Sequence, residues 1–312
     1  MTTATAAQPV SQASAQTAEK PEVPIRHMKF DFNAQDADPN FYLNAELASA
    51  YFEALSIFLT YGEDLVIDTA RYHRDFLTDP VLKQRVTSLI GQEALHSKVH
   101  EEWNEILKEH RFPVPLYRFL AENVFNYGFK RFPHRLQLSL MAGIEHFTAV
   151  LAEFMMKHED NFFHSEDEKQ RGLWMWHMLE EAEHKDIAYD VYQELSGSYP
   201  LRITGFALAL FTIWFLVPLG GVAIPFLRNP RNLVSLGFWK DAKRSLDLLI
   251  GRKNGVYGST LGHVFDYLRP DFHPNDHDTS EYLEYYKERL LHPETGLLTP
   301  YFVKQVVPPV RA

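Results

Sequence analysis

Residues 176–192, WHMLEEAEHKDIAYDVY, set carboxylates and histidines among apolar side chains that have the spacing of a buried helix face. On a helix, residues that are three, four or seven positions apart lie on one face. His177, Glu181 and His184 therefore project together from this segment. Because a buried carboxylate without a partner is costly, these side chains are expected to face a metal ion.

A second motif of the same form occurs in residues 92–103, QEALHSKVHEEW, where Glu93 and His96 repeat the E-x-x-H spacing of Glu181 and His184. Two such motifs on different helices are typical of a carboxylate-bridged pair of metal ions inside a helix bundle. A site of this kind also takes one glutamate from each of two further helices.

Long helices are predicted from about residue 41 to residue 195, where glycine and proline occur at only a few junctions. A cap residue before proline favours a helix start, and Ser165-x-x-Glu168 has the form of a capping box. The predicted helices run from Asp38-Pro39 to about Leu77, from Asp79-Pro80 to about His110, from Pro133 to near His158, and from Glu168 to Ser196-Gly197. Two hairpins of long helices predict an all-α fold built on a four-helix bundle.

Helix register selects the remaining two glutamates. Residues at one height of an antiparallel helix pair are equally far in sequence from the turn, since each residue rises about 1.5 Å. Pairing Glu63 with Glu93 puts the midpoint at residue 78, and pairing Glu145 with Glu181 puts it at residue 163, both at predicted turns. Glu53 would lie about 15 Å out of register.

The donor types indicate which metals to expect. Carboxylates bridge two cations and neutralise their charge, while each neutral imidazole donates one nitrogen, which suits two iron ions, with manganese or a mixed Fe/Mn pair as alternatives. The predicted metal ligands are Glu63, Glu93, His96, Glu145, His177, Glu181 and His184, with His177 as a seventh ligand. No catalytic residue beyond the ligands is predicted. His100 is a further candidate, as a ligand or as a contact of ligand or substrate, and Asp186 and Asp190 are the expected acceptors for the second N–H of ligating histidines.

An uncharged run follows the bundle at residues 203–227 and is long enough to cross a hydrocarbon core of about 30 Å. Pro218, Gly220, Gly221 and Pro225 predict a break in its last third. The run is expected to contact a membrane, to pack on the bundle as core or substrate-channel wall, or to span a bilayer. The expected organisation is a disordered arm (1–25), the bundle (26–198), the apolar segment (199–230) and a helical or irregular extension (231–312).

Composition excludes several classes of function. The net charge is −10 and no basic stripe with interleaved aromatic residues occurs, so nucleic acid is not an expected partner. The lack of cysteine excludes disulfides, thiolate metal sites and cysteine nucleophiles. Residues 1–25 match neither a secretory nor a mitochondrial leader, so a cytoplasmic location is expected, with peripheral contact at the inner face of the membrane as an alternative.

The order Glu63, Glu93-x-x-His96, Glu145, Glu181-x-x-His184 resembles the ferritin-like di-iron carboxylate superfamily over residues 41–195. The segments YGED, GQEALHSKVHEEWN, IEHFTAVLAE and WHMLEEAEHKDIAYDVYQ, with the apolar run behind them, are similar to a bacterial family described as predicted metal-dependent hydrolases. The spacing from His177 to His184 is also similar to that in di-iron arylamine N-oxygenases, where an additional histidine joins one iron. These resemblances imply a ferritin-like bundle and a metal-dependent enzyme.

The favoured function is a non-haem di-iron oxygenase or oxidase that activates dioxygen. Its substrate would be small and apolar or lipid-like, because of the run at 203–227, and an unknown donor would supply electrons. One alternative is a metal-dependent hydrolase in which a metal-bound hydroxide attacks an ester or amide. Another is an iron-binding or iron-storage protein, and a homodimer is an alternative to the monomer.

Overall fold

The computed structural model describes residues 23–34, 38, 40–110, 114–165 and 167–303. The fold is all-α, as predicted. Its α-helices are α1 (Glu46–Arg74), α2 (Pro80–His110), α3 (Val114–Glu122), α4 (His134–Lys157), α5 (Glu168–His184), α6 (Ile187–Leu195), α7 (Tyr199–Phe211), α8 (Val217–Arg228), α9 (Leu236–Ile250), α10 (Val256–Asp266) and α11 (Ser280–Leu291). Two π-helical segments, Asn123–Gly128 and Thr212–Leu216, follow α3 and α7.

Two helix hairpins form the centre of the molecule. α1 packs along α2, α4 packs along α5, and α1 also contacts α4 while α2 contacts α5 and α6. One apolar core joins these helices, and most of α4 is buried. The bounds of α2 and α4 lie within one residue or so of the predicted ones, because Asp79-Pro80 and Pro133 mark their starts.

The first helix begins later than predicted, at Glu46 instead of directly after Asp38-Pro39. Leu43 and Asn44 adopt positive φ angles of 57° and 46°, which interrupt helical geometry. The backbone N–H of Leu43 donates to the carbonyl of His164 at 2.9 Å, so this turn docks on the connection before α5.

The fourth predicted helix is divided into α5 and α6 at Lys185 and Asp186. Asp186 accepts two hydrogen bonds from the guanidinium of Arg85, at 2.8 and 3.1 Å, and this long-range pair lies at the break. The α5 cap also differs from the predicted box, because the Asp167 carboxylate accepts the N–H groups of Lys169 and Gln170 at 2.8 and 2.9 Å.

The apolar segment is one continuous helix from Tyr199 to Arg228, which differs from the predicted break. Pro218 is the second residue of α8, which follows the π-helical turn Thr212–Leu216. Its missing N–H therefore falls where the α-helical hydrogen-bond pattern is already interrupted. Gly221 serves close helix packing instead, since a Cβ there would lie 2.9 Å from the Tyr51 Cα on α1.

Two helices of the described chain are long and apolar enough to cross a membrane, His134–Lys157 and Tyr199–Arg228. The first is 89% buried over its apolar window and forms part of the core. The second is only 33% buried, because α7 lies on α4 and α8 lies on α1 along one face while the other face is open.

Residues 1–22 of the predicted arm (1–25) lie outside the described residues. Val23 is buried, and the side-chain amide of Gln92 on α2 donates to the carbonyl of Pro24 at 2.9 Å. At the other end of the chain, α9 packs on α1, α10 on α4 and α9, and α11 on α5.

Candidate metal centre

The seven predicted ligands meet in the core between α1, α2, α4 and α5. His184 Nε2 lies 3.3 Å from Glu93 Oε1, 3.2 Å from Glu145 Oε2 and 3.3 Å from Glu181 Oε2. A single N–H can point at only one of these oxygens. One nitrogen and three carboxylate oxygens in this arrangement are a donor set for a divalent cation.

A second group of donors adjoins the first. His177 Nε2 lies 2.9 Å from Glu181 Oε1 and 3.6 Å from Glu63 Oε1. His96 Nδ1 lies 3.7 Å from both Glu93 Oε1 and Glu181 Oε1. Glu93 and Glu181 therefore contribute to both groups, as carboxylates that bridge two metal ions would. Glu53, which the register argument set aside, instead accepts from Arg228 at 2.7 Å.

Each histidine of the candidate centre is held by a partner on the ring nitrogen that points away from the carboxylates. His96 Nε2–H donates to Glu180 Oε2 at 3.0 Å, and His184 Nδ1–H donates to Gln92 Oε1 at 2.8 Å. His177 Nδ1 hydrogen-bonds His100 Nε2 at 2.7 Å. These partners fix the tautomers that leave the remaining nitrogens facing the carboxylates.

The prediction that Asp186 and Asp190 accept the second N–H of the ligating histidines is wrong. Asp186 binds Arg85, and the Asp190 carboxylate lies 3.0 Å from His273 Nε2, so both are occupied outside the metal centre. They were predicted because a ligating histidine usually needs an acceptor for its second N–H. The observed acceptors are Glu180 for His96 and Gln92 for His184. Each contact joins α2 to α5, so neither follows from the spacing within one helix.

Arg26 supports the centre from the segment before α1. Its guanidinium donates to Glu183 at 2.7 and 2.8 Å and to Glu180 at 3.0 Å. Burial alone would raise the pKa of Glu180, but His96 and Arg26 hold it below its usual value. Glu180 therefore stays an anionic acceptor for His96. Residues 23–34 contain no helical periodicity, so the sequence carries no signal for this contact.

A chain of hydrogen bonds extends from His177 away from the carboxylates. His100 Nδ1 lies 2.8 Å from Ser56 Oγ, which donates to Asn104 Oδ1 at 2.9 Å. Burial and the neighbouring His177 lower the pKa of His100 well below its usual value. His100 is thus a neutral ring that orients His177, although one of its ring nitrogens also lies within 4.8 Å of donor atoms of Glu63 and His177.

The carboxylates and histidines of the centre have strongly shifted pKa values. Burial and the nearby Glu93 raise the pKa of Glu63 well above its usual value and that of Glu145 to about 8. Burial opposes protonation of His96, but Glu180 and Glu93 raise its pKa to about 10. Burial would likewise raise the pKa of Glu181, but His184 and His177 hold it well below the usual value.

Several donor atoms in the centre lack any hydrogen-bond partner within the described part of the chain. They are both oxygens of Glu63, Oε1 of Glu93, Oε2 of Glu145 and Nδ1 of His96. An unsatisfied buried polar group costs about 1–3 kcal/mol, so a cluster of them that face one another needs a shared partner. These residues fit a pair of divalent ions, and nitrogen and oxygen donors alone do not choose between iron and manganese.

An apolar cavity of about 60 Å³ adjoins the centre. Four glutamates of the centre line it, Glu63, Glu93, Glu145 and Glu181, and no histidine of the described chain does. Its walls come from α1, α4, α5, α8, α10 and both π-helical segments. They include Leu55, Phe58, Phe125, Ile144, Phe147, Val150, Met178, Thr212, Ile213, Trp214, Val217, Val256 and Val264. The carboxylate side of the centre therefore faces the cavity, while the histidine side is packed against protein.

The fold and this centre define an all-α protein with a buried carboxylate–histidine site suited to metal ions. The chain belongs to the family of predicted metal-dependent hydrolases, whose model matches residues 24–278. The match begins two residues before Arg26 and includes every residue of the candidate centre. No curated protein and no solved structure matches the chain.

Proposed function

We propose that the protein is a metal-dependent enzyme in which an apolar substrate enters the cavity and reacts at the carboxylate side of a dinuclear centre. One observation carries this proposal: the four glutamates line a cavity whose other walls are mostly apolar. The residues that would hold the metals are Glu63, Glu93, His96, Glu145, His177, Glu181 and His184. Bound divalent ions would supply Lewis acidity and lower the pKa of water.

The first candidate reaction is hydrolysis of an ester or amide of an apolar acid, which agrees with the family description. The cavity walls would bind the apolar part and direct its carbonyl group toward the glutamates. Glu63 has two buried oxygens without hydrogen-bond partners in the described structure, so one of them is available to accept a proton from the attacking water.

The second candidate is the di-iron oxygenase or oxidase predicted from the sequence. Its support is the combination of four carboxylates with an apolar, water-excluding cavity, which suits oxidation of a C–H or N–H group. In this case the walls Phe147, Ile213 and Trp214 would exclude water and hold the substrate. Iron, dioxygen and an external electron donor would then be required.

Assay under nitrogen separates the two reactions. The metal-loaded protein is incubated with a series of acyl esters of increasing chain length, with and without dioxygen. Hydrolysis should persist without dioxygen, should require metal, and should disappear in Glu181→Gln but not in Glu53→Gln, a buried glutamate outside the centre. Product that forms only with dioxygen and a reductant would replace the first candidate by the second. Uptake of many iron ions per chain into a large assembly would instead support the storage alternative.

We also propose peripheral contact with the inner face of a membrane. The open face of Tyr199–Arg228 exposes Phe211, Phe215 and Leu219, at 51%, 67% and 58%. α9 adds the exposed Trp239 beside Lys240, a pattern typical of an interfacial helix at anionic lipid. Because the same helix walls the cavity through Ile213, a lipid-like substrate could pass from bilayer to centre.

Vesicle co-sedimentation tests this contact. Binding should be stronger to vesicles with anionic lipid than to zwitterionic ones, and Phe211→Ser/Phe215→Ser should weaken it. A concentration-dependent dimer that covers this face, without vesicle binding, would replace the membrane by a second copy of the chain.

A further inference from the structure

A second cluster of metal-ligating side chains lies outside the candidate centre. It brings together Glu153 on α4, His263 on α10 and His277, which follows the short 3₁₀ turn Pro274–Asp276. His263 Nδ1 lies 3.0 Å from Glu153 Oε2, and His277 Nδ1 lies 3.9 Å from the same oxygen. One donor atom from each residue thus falls within 4.8 Å of the others.

The orientation of His277 is set by a carboxylate behind it. Its Nε2–H donates to Asp266 Oδ2 at 3.0 Å, so in the neutral ring the Nδ1 lone pair faces Glu153. The rings of His263 and His277 stack with their centroids 4.1 Å apart. Their Nδ1 atoms lie 3.0 and 3.9 Å from the same oxygen of Glu153. A carboxylate that orients a histidine toward a shared point is the arrangement seen behind metal ligands.

Glu153 is an anion with one oxygen reserved for this cluster. The ammonium of Lys157 binds Oε1, which leaves Oε2 for the two histidines. The backbone carbonyl of His277 is held in turn by Lys185, which fixes the position of the loop.

We propose that Glu153, His263 and His277 form a separate binding site for a single divalent transition-metal ion, with Zn²⁺ as the best match. Two imidazoles and one carboxylate are a known donor set for Zn²⁺, and they leave a fourth position for water. A cavity beside Glu153 and His263, also lined by Lys253 and Ser259, provides room for that position. This site does not depend on the reaction proposed for the dinuclear centre.

The site joins three parts of the chain next to the apolar cavity. Val150 and Thr260 line both this outer cavity and the apolar one, so the two spaces share a wall. A bound ion would tie α10 to α4 across that wall and fix the loop at residues 273–278. Its expected role is to hold α10 in place over the substrate cavity.

Metal counting on the full chain tests the proposal. The wild-type protein and single variants are dialysed to equilibrium against the same free Zn²⁺ concentration, and bound Zn²⁺ per chain is measured by elemental analysis. His263→Ala and His277→Ala should each bind one ion fewer than wild type. His27→Ala, an exposed histidine outside both clusters, should bind the same number as wild type.

A milder variant keeps the test independent of folding. Asp266→Asn retains all three ligands but weakens the hold on His277, so the affinity of this one site should fall about 10–100-fold. Since His263 is 41% exposed at its side chain, His263→Ala should keep the helical circular dichroism of wild type. Equal Zn²⁺ counts and affinities in wild type, His263→Ala and Asp266→Asn would overturn the proposal, while loss of the dinuclear metals would leave it untouched.

Discussion

Replacing Glu63 by leucine should have opposite consequences in the metal-free and metal-loaded protein. The Glu63 side chain is 4% exposed, and its oxygens have no hydrogen-bond partner within the described residues. In the absence of metal, Glu63→Leu removes a buried polar group whose oxygens were taken out of water without a hydrogen bond in return. The free energy of unfolding should therefore rise by about 1–3 kcal/mol.

Bound metal should make the wild type gain more stability than Glu63→Leu. At a free metal concentration of about 100 times the dissociation constant, one bound ion stabilises the wild type by about 2.7 kcal/mol. If loss of the Glu63 ligand weakens binding about 100-fold, the same concentration stabilises the variant by only about 0.4 kcal/mol. The metal-dependent increment should thus shrink by about 2 kcal/mol, which is a larger effect than the error of a denaturation curve.

Urea denaturation followed by circular dichroism measures both quantities, once with chelator and once with Mn²⁺, which avoids oxidation. Glu53→Leu is the matched control on the same helix, because Glu53 is equally buried but binds Arg228. It should lower stability by about 1–3 kcal/mol with or without metal. If Glu63→Leu destabilises the metal-free protein and keeps the full Mn²⁺ increment, then Glu63 is a structural residue and not a ligand.

Three further predictions follow from the same contacts. Arg26→Ala leaves Glu183 and Glu180 buried with reduced compensation, and urea denaturation should show a loss of about 3–5 kcal/mol. In the metal-free protein, the free energy of unfolding should fall from pH 6.5 to 8. The reason is that Glu145, with a pKa of about 8, keeps a proton that the unfolded chain has lost. Urea denaturation at stepped pH measures this slope, and a rise in the free energy of unfolding would contradict the prediction. Ile213→Trp should fill the cavity, so turnover of the longest acyl esters should fall most while the metal content stays that of wild type.

Short-range chemistry accounts for the parts of the molecule that were predictable from sequence. Helix starts at Asp79-Pro80 and Pro133 depend on local backbone geometry, and the pairing of Glu63 with Glu93 needs only the rise per residue and a turn position. The seven candidate ligands could be predicted because the helix boundaries and the helix register place them at the same height of the bundle. The contacts of Arg26 and Gln92 with α5 depend on packing between distant segments, which no periodic pattern in one segment can specify.

The continuous helix Tyr199–Arg228 illustrates where local rules were overridden. Pro218 and Pro225 each remove a backbone hydrogen bond, which normally ends a helix. Here the helix packs against α4 and α1 along its length, and Gly221 permits an approach to Tyr51 that a larger residue would prevent. Tertiary packing therefore compensates for the missing hydrogen bonds. Helix propensities of single residues do not include such contacts, so they predict a break here.

Both π-helical segments of the described chain border the apolar cavity. Phe125 lies in Asn123–Gly128, and Ile213 and Trp214 lie in Thr212–Leu216; all three side chains line the space next to the glutamates. A π turn inserts an extra residue into a helix and rotates the side chains that follow, and such turns recur at functional sites. Two of them at one cavity are best explained by the cavity itself, because regular α-helices at these positions would turn other side chains toward the carboxylates. The shape of the apolar cavity is thus set by local departures from α-helical geometry. The candidate metal centre, in contrast, depends on the regular spacing of residues along α-helices.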